Sequence, residues 1–352
     1  MSKNLGLGTF HKAAWVAAAS LWLAACGGGG DGTFATQTPG ECEAIKGLAG
    51  PGTGTAASHA QPQRSDGAVT IASSGGMVTA RRLVTLVNDF GAATQAQVDL
   101  ATPNGSVIAC PRSGGGYGLK LMLESRAPTE ADARRGLDSI TVNHTDTLAA
   151  NLLRLNTSVQ FGSLSTTGGL PGMGSDGSNI QRTAAIVSGL PASASYAISP
   201  NGANGAVRVS GLNGSTADLG TSNGPVSLDG RWDTATLNTN NGLLRVSGDY
   251  ASLDATTSNG LAEGDLQSSR NLDASFTASN GSVDVKLRSS SAGFDLTAGT
   301  TNGRAEISVP NTVAVGTQSS TSMHRQSSDY TSRAVKAVVA ARTTNGNVSL
   351  HD

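Results

Sequence analysis

Six aspartates in the second half of the chain are the residues there best suited to acid–base chemistry: Asp229, Asp233, Asp249, Asp254, Asp265 and Asp284. Cleavage of a glycosidic bond needs two carboxylates held at a fixed separation. These six stand at inconsistent offsets within the repeat that carries them, so they do not stack into one paired site. The pattern is typical of solvated turn and outer-face residues.

Metal binding and nucleophilic catalysis have no recognisable motif in the sequence. Beyond the first 25 residues the histidines are His59, His144, His324 and His351, and none has metal-ligand spacing. The chain contains no G-x-S-x-G elbow, no H-E-x-x-H and no calcium-binding G-G-x-G-x-D repeat. We therefore expect no metal, no cofactor and no catalytic residue.

Trp232 and Tyr250 are a candidate ligand-binding aromatic pair. Each lies eight residues after a glycine of the repeat, Gly224 and Gly242, so stacked repeats bring the two rings together. Their polar neighbours are Arg231, Asp233 and Asp249. Such a pair on an outer corner or face suits a sugar ring or a partner protein. The alternative is a structural stack that covers a corner.

The first 25 residues have the pattern of a targeting segment, because Lys3 and Lys12 precede an apolar, Ala-rich run. The stretch LAAC that ends at Cys26 resembles the lipobox of bacterial lipoproteins. The resemblance implies a cleaved signal peptide and acyl chains, palmitate among them, on Cys26. An ordinary secretory signal is the alternative, and the run is shorter than the roughly 20 residues of a membrane-spanning helix.

The residues after Cys26 bear on location. Gly27 and Gly28 follow it without the aspartate that marks inner-membrane retention in these lipoproteins, which implies the outer membrane. Acyl chains bury enough CH₂ groups to hold a protein on a membrane without a span.

Cys42 and Cys110 are a candidate disulfide, because the cell envelope outside the inner membrane is an oxidising compartment. Two free thiols are the alternative, because sequence spacing cannot establish the geometry of a bridge.

Composition favours an elongated β-structure. The 352 residues include 46 glycines, with 4% aromatic and 14% charged residues, which suits turns and strands better than a bulky core. Removing residues 1–25 leaves 22 basic against 25 acidic residues. We therefore expect no nucleic-acid partner.

Residues 26–64 are rich in Gly, Thr, Ala, Pro and Ser without periodicity, which predicts a flexible tether.

Asn-Gly pairs define an internal repeat. Their glycines are 18 to 22 residues apart, with a last gap of 43: Gly205, Gly224, Gly242, Gly260, Gly281, Gly303 and Gly346. Apolar residues usually stand two and four positions after each glycine and five and seven before it, which predicts two strands per repeat. We expect an all-β chain, a β-solenoid of stacked 18–22 residue coils with one short helix near its N-terminal end. A meander of hairpins with type I′ Asn-Gly turns is the alternative.

Stacking of these coils predicts contacts between like residues. At about 4.8 Å per coil, the asparagines of the repeat form a hydrogen-bonded ladder. The ladder residues are Asn223, Asn241, Asn259, Asn280, Asn302 and Asn345. Gly224 then has a positive φ and Val226 lies beside Leu244. Ala262 and Gly264 place small residues inward, so we expect a thin or kinked coil there.

The part of the chain that follows the tether is expected to contain two regions that meet at residue 200. Residues 65–200 are expected to form an N-terminal cap and early β-coils, and residues 201–352 the regular solenoid. A short helix is predicted over 129–136, since Thr129 is a good N-cap and Gly136 a stop signal.

The chain resembles the bacterial "putative adhesin" domain, a family of unknown function with repeated TSNG coils. The resemblance covers roughly residues 69–350. It rests on EADARRGLDSITV, GLPASASYAISPNG, VRVSGLNG, TSNGPVSL, TTSNGLAEG and TTNGNVSL, in that order. It implies a β-solenoid exposed at a cell envelope, with adhesion as its role and no residue-level mechanism.

These patterns together predict a lipid-anchored cell-envelope protein, at the outer membrane, that serves as a non-catalytic binding or adhesion module. Its expected partners are the membrane, through the N-terminal lipid, and a glycan or an envelope protein. A carbohydrate-active β-helix enzyme and a periplasmic scaffold or envelope-stress signalling partner are the alternatives.

Overall fold

The computed structural model describes residue 42 and residues 61–90, 93–113, 115–164, 179–288 and 291–352. The predicted signal peptide, Cys26 and all of the tether before residue 61 except Cys42 lie outside the described residues. Within those ranges no helix combines the length and the apolar character needed to cross a membrane.

The described chain is built almost entirely of strands, so the predicted all-β class is confirmed. The strands β1 to β23 are, in order, Gln63–Asp66, Thr70–Ser74, Met77–Asn88, Gln95–Thr102, Val107–Arg112, Tyr117–Ala127, Ile140–Ala149, Leu152–Phe161, Gln181–Pro191, Ser195–Asn204, Val207–Val209, Gly214–Asn223, Val226–Asn241, Leu244–Asn259, Ala262–Gln267, Leu272–Asn280, Val283–Arg288, Gly293–Asn302, Ala305–Ser308, Thr312–Ala314, Ser322–Ser327, Lys336–Asn345 and Val348–His351. Helix α1 spans Glu130–Asp138, and a 3₁₀ turn, η1, spans Tyr330–Ser332.

Parallel pairing arranges most strands in two rows. Row A contains, in spatial order, β8, β4, β10, β12, the second halves of β13 and β14, β16, β22 and β18. Row B contains β9, β5, β11, the first halves of β13 and β14, β15, β17, β23 and β19. Parallel neighbours exclude the hairpin meander here, because hairpins pair antiparallel strands. We call a row A strand and the row B strand that follows it a coil, and the whole arrangement the coil stack.

The two rows face each other across a shared apolar core. Val226 lies beside Leu244, as predicted, and both are buried. Gly264 of row B lies opposite Phe276 of row A, since a Cβ on Gly264 would lie 2.8 Å from Phe276 Cζ. The large ring fills the space that the glycine leaves. The thin or kinked coil expected here stays a prediction, since the pairing shows only that β15 joins β14 and β17 without a register shift.

The Asn-Gly corners explain why the turn repeats. Gly224 has φ +149°, and a Cβ there would collide with the carbonyl of Gly205 on the preceding coil. Its N–H donates to the Asn241 carbonyl of the next coil at 2.9 Å. Only glycine combines this φ with such a close approach of two backbones.

Two coils lie out of sequence order. The coil β22–β23 lies between β16–β17 and β18–β19, and we call it the inserted coil. In the gap of 43 residues the chain forms β20, β21 and η1 beyond β18, then returns to this position. At the other end β4–β5 lies between β8–β9 and β10–β11 in the same way.

The N-terminal end is closed by antiparallel strands and by α1. Strand β6 pairs antiparallel with β3 on one side and with β9 on the other, and β7 pairs antiparallel with β8. Thr129 caps α1 as predicted, accepting from the Asp132 N–H at 3.1 Å. The predicted end at Gly136 is wrong, because α1 continues to Asp138. Gly136 is buried instead, where a Cβ would collide with Ser125 Oγ.

Candidate functional site: a cleft at the far corner of the stack

The predicted asparagine residues form one continuous ladder along the Asn-Gly corner. Each side-chain amide donates to the amide oxygen of its neighbour at 2.7 to 2.9 Å. The spatial order is Asn204, Asn223, Asn241, Asn259, Asn280, Asn345 and Asn302. Asn345 therefore precedes Asn302, because the inserted coil carries it. The ladder is a stacking device with its side chains on the surface.

Threonines behind the ladder hold the glycine carbonyls. Thr239 Oγ1 donates to the Gly224 carbonyl at 3.0 Å, and Thr343 Oγ1 donates to the Gly281 carbonyl at 2.7 Å. Both threonines are buried, so each hydroxyl satisfies a carbonyl that water reaches poorly. At this corner the amide and hydroxyl groups are hydrogen-bonded to one another and to the backbone.

The expectation that Trp232 and Tyr250 are exposed is wrong. They are register neighbours, as predicted, but both are fully buried. Trp232 lies eight residues after Gly224, an even number, as do Val226 and Leu228 at two and four. Alternation along a strand therefore points all three side chains to the same inner face. Trp232 Nε1 donates to the Asp229 carbonyl at 3.3 Å, and the Tyr250 hydroxyl donates to the Ser247 carbonyl at 2.9 Å. The pair is part of the core at the corner opposite the asparagines, the far corner.

The cysteines and the six aspartates take structural positions. Cys42 and Cys110 form a disulfide with Cα atoms 5.9 Å apart, and Cys110 packs in a small apolar cluster with Ile108 and Val187. The aspartates are scattered over different faces. Asp233 accepts from Arg270 at 2.6 Å, Asp229 accepts from the Gly211 N–H at 2.5 Å, and Asp254 accepts from Thr256 at 3.2 Å. Of the six, Asp233 and Asp249 share an ion-pair partner, because both contact Arg270, at 2.6 and 3.8 Å.

His144 belongs to a polar cluster at the N-terminal end of the stack. Its Nε2 lies 2.8 Å from the Tyr117 hydroxyl, and its Nδ1 lies 2.9 Å from Thr157 Oγ1. The Tyr117 hydroxyl also donates to Asp146 at 2.7 Å. Burial lowers the pKa of His144, and burial together with the Asp146 carboxylate raises the pKa of Tyr117. Tyr117 is fully buried, and the cluster joins β6, β7 and β8.

A cleft of about 690 Å³ opens at the far corner beside the inserted coil. Its lining is Gln267, Ser268, Ser269, Arg288, Ser291, Ala292, Phe294, Val309, Pro310, Asn311, Ser327, Asp329, Arg333 and Asp352. Hydroxyls, amides, two arginines and the carboxylates of Asp329 and Asp352 share this lining with largely buried apolar side chains around Phe294. Its size falls within the usual range of ligand pockets.

The cleft follows from two features of the stack. In register, Ser268 takes the inward position that Trp232 and Tyr250 hold in the preceding coils, because Asp249 pairs with Gln267. A small side chain therefore replaces a large ring. The inserted coil also lacks a far-corner link within the described chain, since β22 follows η1 and β23 ends at His351.

The charged side chains of the cleft are held in place by ion pairs. Arg288 contacts both carboxylate oxygens of Asp265, at 2.5 and 2.6 Å. Arg333 contacts Asp329 at 2.7 Å, which lowers the pKa of that carboxyl. Both cations remain partly exposed, at 54% and 38% of the side chain. They present fixed donors beside fixed acceptors, which suits a neutral, hydroxylated ligand.

Sequence reasoning missed this cleft. Two of its signals are visible in the chain: the repeat lengthens to 21 and 22 residues after Gly260, and the far-corner aromatic disappears after Tyr250. The third, the position of the inserted coil, depends on pairing between distant strands. Within the described residues no group of three or more His, Cys, Asp or Glu is arranged to hold a metal ion.

Neither protein-family models nor curated proteins match the chain. Three solved structures are similar to it. A "putative cell adhesion protein" from Clostridium sporogenes is 12% identical, with a TM-score of 0.29 over 83% of this chain and 99% of that one. "Putative adhesin" structures from Bacteroides fragilis and Parabacteroides distasonis are 11% and 10% identical, with TM-scores of 0.25 and 0.33, each over 76% of this chain and 96% of the other. These scores lie below 0.5, so the functional proposals rest on the geometry of this chain.

Proposed function

We propose that this protein is a non-catalytic binding module of the cell envelope and that it holds a glycan segment in the far-corner cleft. The single observation that carries the proposal is the cleft itself, with a lining that combines an apolar patch and closely spaced neutral and ion-paired polar groups. A sugar ring has one face of C–H groups and a rim of hydroxyls. Such a lining matches both.

The roles of the lining follow from their chemistry. Pro310 is exposed and offers a carbon surface for a ring face, whereas Phe294 is buried and forms part of the apolar floor behind it. Gln267 and Asn311 are exposed amides that can both donate and accept, as each sugar hydroxyl does. Because Arg288 is already neutralised by Asp265, the cleft does not require an anionic ligand.

Retention of polysaccharides by the full chain tests this proposal. A double variant, Gln267→Ala with Asn311→Gly, removes two ligand-facing amides while keeping the positive φ of +60° at residue 311 accessible. Loss of two hydrogen bonds predicts a fall in affinity of about tenfold or more. Asn238→Ala, on the exposed outer side of row A, is the matched control and keeps full affinity.

Two results decide against the glycan proposal. If no polysaccharide in a broad envelope panel is retained, or if the double variant binds as well as the control, the cleft is not a glycan site. Release of shortened sugars during the same incubation would instead indicate an enzyme.

We also propose that acyl chains on Cys26 attach the protein to the outer membrane. The lipobox stretch supports this. Because Cys42 is joined to Cys110, only residues 26–41 lie between the proposed acylation site and the first covalent attachment to the coil stack. Cys26→Ser should abolish incorporation of labelled palmitate and release the chain from the membrane fraction. Protease treatment of intact cells then separates a surface adhesin, which is digested, from a periplasmic protein, which is protected.

A further inference from the structure

Asn-Gly is the sequence in which asparagine most readily loses its amide. The backbone nitrogen of the glycine attacks Cγ of the asparagine, and glycine has no side chain to obstruct the approach. The reaction needs a glycine N–H that can lose its proton and an asparagine amide free to turn. The coil stack contains an Asn-Gly pair in nearly every coil. Each pair is therefore either protected by the structure or loses its amide over time.

The interior rungs of the ladder are protected at both reacting groups. The Gly242 N–H donates to the Asn259 carbonyl at 3.0 Å, so the nitrogen that would attack is engaged. The Asn241 amide is held from both sides, donating to Asn223 at 2.7 Å and accepting from Asn259 at 2.8 Å. Gly242 is also half-buried. The same backbone bond recurs up to the Gly346 N–H, which donates to the Asn302 carbonyl at 3.0 Å.

Asn302 and Gly303 stand at the end of the ladder and lack this protection. Within the described ranges no acceptor bonds the Gly303 N–H. Strand β21 pairs with β18 only as far as Gly299, and the carbonyls of Thr321 and Ser320 accept from Thr300 and Ala305 instead. The Asn302 amide is held on one side, by its donation to Asn345 at 2.8 Å. Gly303 is exposed, whereas the glycines of the other ladder rungs are half-buried.

We propose that Asn302 is a site of spontaneous deamidation in the folded protein. The Gly303 nitrogen bonds to Cγ of Asn302, the bond from Cγ to the side-chain nitrogen breaks, and ammonia leaves with the proton from Gly303. Water then opens the succinimide to an aspartate or an isoaspartate. The balance is one water consumed and one ammonia released, with no oxidant or reductant.

The direction of the ladder gives this change a structural consequence. Asn302 is the donor in its bond to Asn345, so deamidation replaces an N–H donor with a carboxylate oxygen that faces the Asn345 amide oxygen. Two acceptors then oppose each other between β18 and the inserted coil. We expect the end of the stack that carries β18 to β21 to loosen from the inserted coil.

The test is ageing of the full-length, disulfide-bonded protein at mildly alkaline pH, with peptide mapping by mass spectrometry at each Asn-Gly pair. Interior rungs can react only from locally opened states, so Asn302 should convert at least about tenfold faster than Asn241 and Asn259. The same chain unfolded in guanidinium is the control, and there all three should convert at comparable rates.

Two further variants link the modification to its consequence. Asn302→Asp should increase hydrogen exchange in β18 without changing β13, and Asn302→Gln should remove the rapid conversion. The proposal is overturned if Asn241 converts as fast as Asn302 in the folded protein, or if Asn302 stays intact while the unfolded chain deamidates.

Discussion

Replacing Gly264 with alanine tests whether rows A and B face each other at the distance that the structure gives. The new Cβ would lie 2.8 Å from Phe276 Cζ and 3.0 Å from Val285 Cγ1, both closer than carbon atoms pack. The aromatic ring is fully buried, so it can make room only by displacing other core side chains. Overpacking of this kind costs roughly 1–3 kcal/mol of unfolding free energy.

A double-mutant cycle isolates the contact. Phe276→Leu alone removes ring volume and costs about 1–2 kcal/mol through the cavity it leaves. In the double variant the alanine methyl occupies part of that cavity. The combined cost should therefore fall short of the sum by about 1 kcal/mol or more.

Urea unfolding followed by far-UV circular dichroism gives the four stabilities. Gly299→Ala is the matched control, because Gly299 also lies in a strand, its φ is not positive, and a Cβ there meets nothing within 4 Å. Its effect should stay within about 0.5 kcal/mol of zero. If Gly264→Ala costs no more than this control, or if the cycle is additive, the two rows do not meet as described.

Three further predictions concern the corners and the N-terminal cluster. Trp232→Phe should lower the unfolding free energy by about 1–3 kcal/mol, through lost volume and the lost bond to the Asp229 carbonyl, while glycan retention stays unchanged; an unchanged stability with reduced retention would restore the exposed-pair hypothesis. Thr239→Val should cost about 1 kcal/mol because the Gly224 carbonyl loses its partner, and Thr234→Val on the exposed side should cost less in the same denaturation assay; equal costs would contradict the role of the buried hydroxyl. Burial lowers the pKa of His144 from its usual 6.5, so on acidification the unfolded chain binds the proton before the folded chain does. The contribution of neutral His144 to the unfolding free energy is therefore fully present above pH 6.5 and is lost as the pH falls through the folded pKa. Unfolding measured from pH 7.5 to 5 should show this loss and His144→Gln should flatten it; a variant with the same pH dependence would contradict it.

Local regularities could be predicted because they depend on neighbours in the sequence. Alternation of apolar residues around the glycine of each Asn-Gly pair predicts that Val226 and Leu244 lie in the core. The Asn-Gly pair itself predicts the position of the corner between two strands. The same alternation also places Trp232 inward. The expected outer position was wrong because even-numbered positions of β13 remain the inward ones through the far corner as far as residue 232.

The order of the coils could not be predicted because the coils are interchangeable in register. The strands β18 and β22 both end in TTN and are followed by glycine, so each offers the same threonine, asparagine and glycine to its neighbour. Nothing local therefore says which of them follows β16. The cleft depends on that choice, so its walls, including Gln267 and Asn311, could not be brought together from the sequence.

Disulfide formation between cysteines introduced on the outer face of row A tests the coil order most directly. The structure pairs Ser275 with Ala340 and Ala340 with Thr297. Neighbouring strands are about 4.8 Å apart and alternate strands about 9.6 Å, beyond the roughly 7 Å that a disulfide can bridge. Ser275→Cys with Ala340→Cys should therefore oxidise readily, and Ser275→Cys with Thr297→Cys should remain reduced. The reverse result would place β18 directly on β16 and remove the inserted coil and the cleft that depends on it.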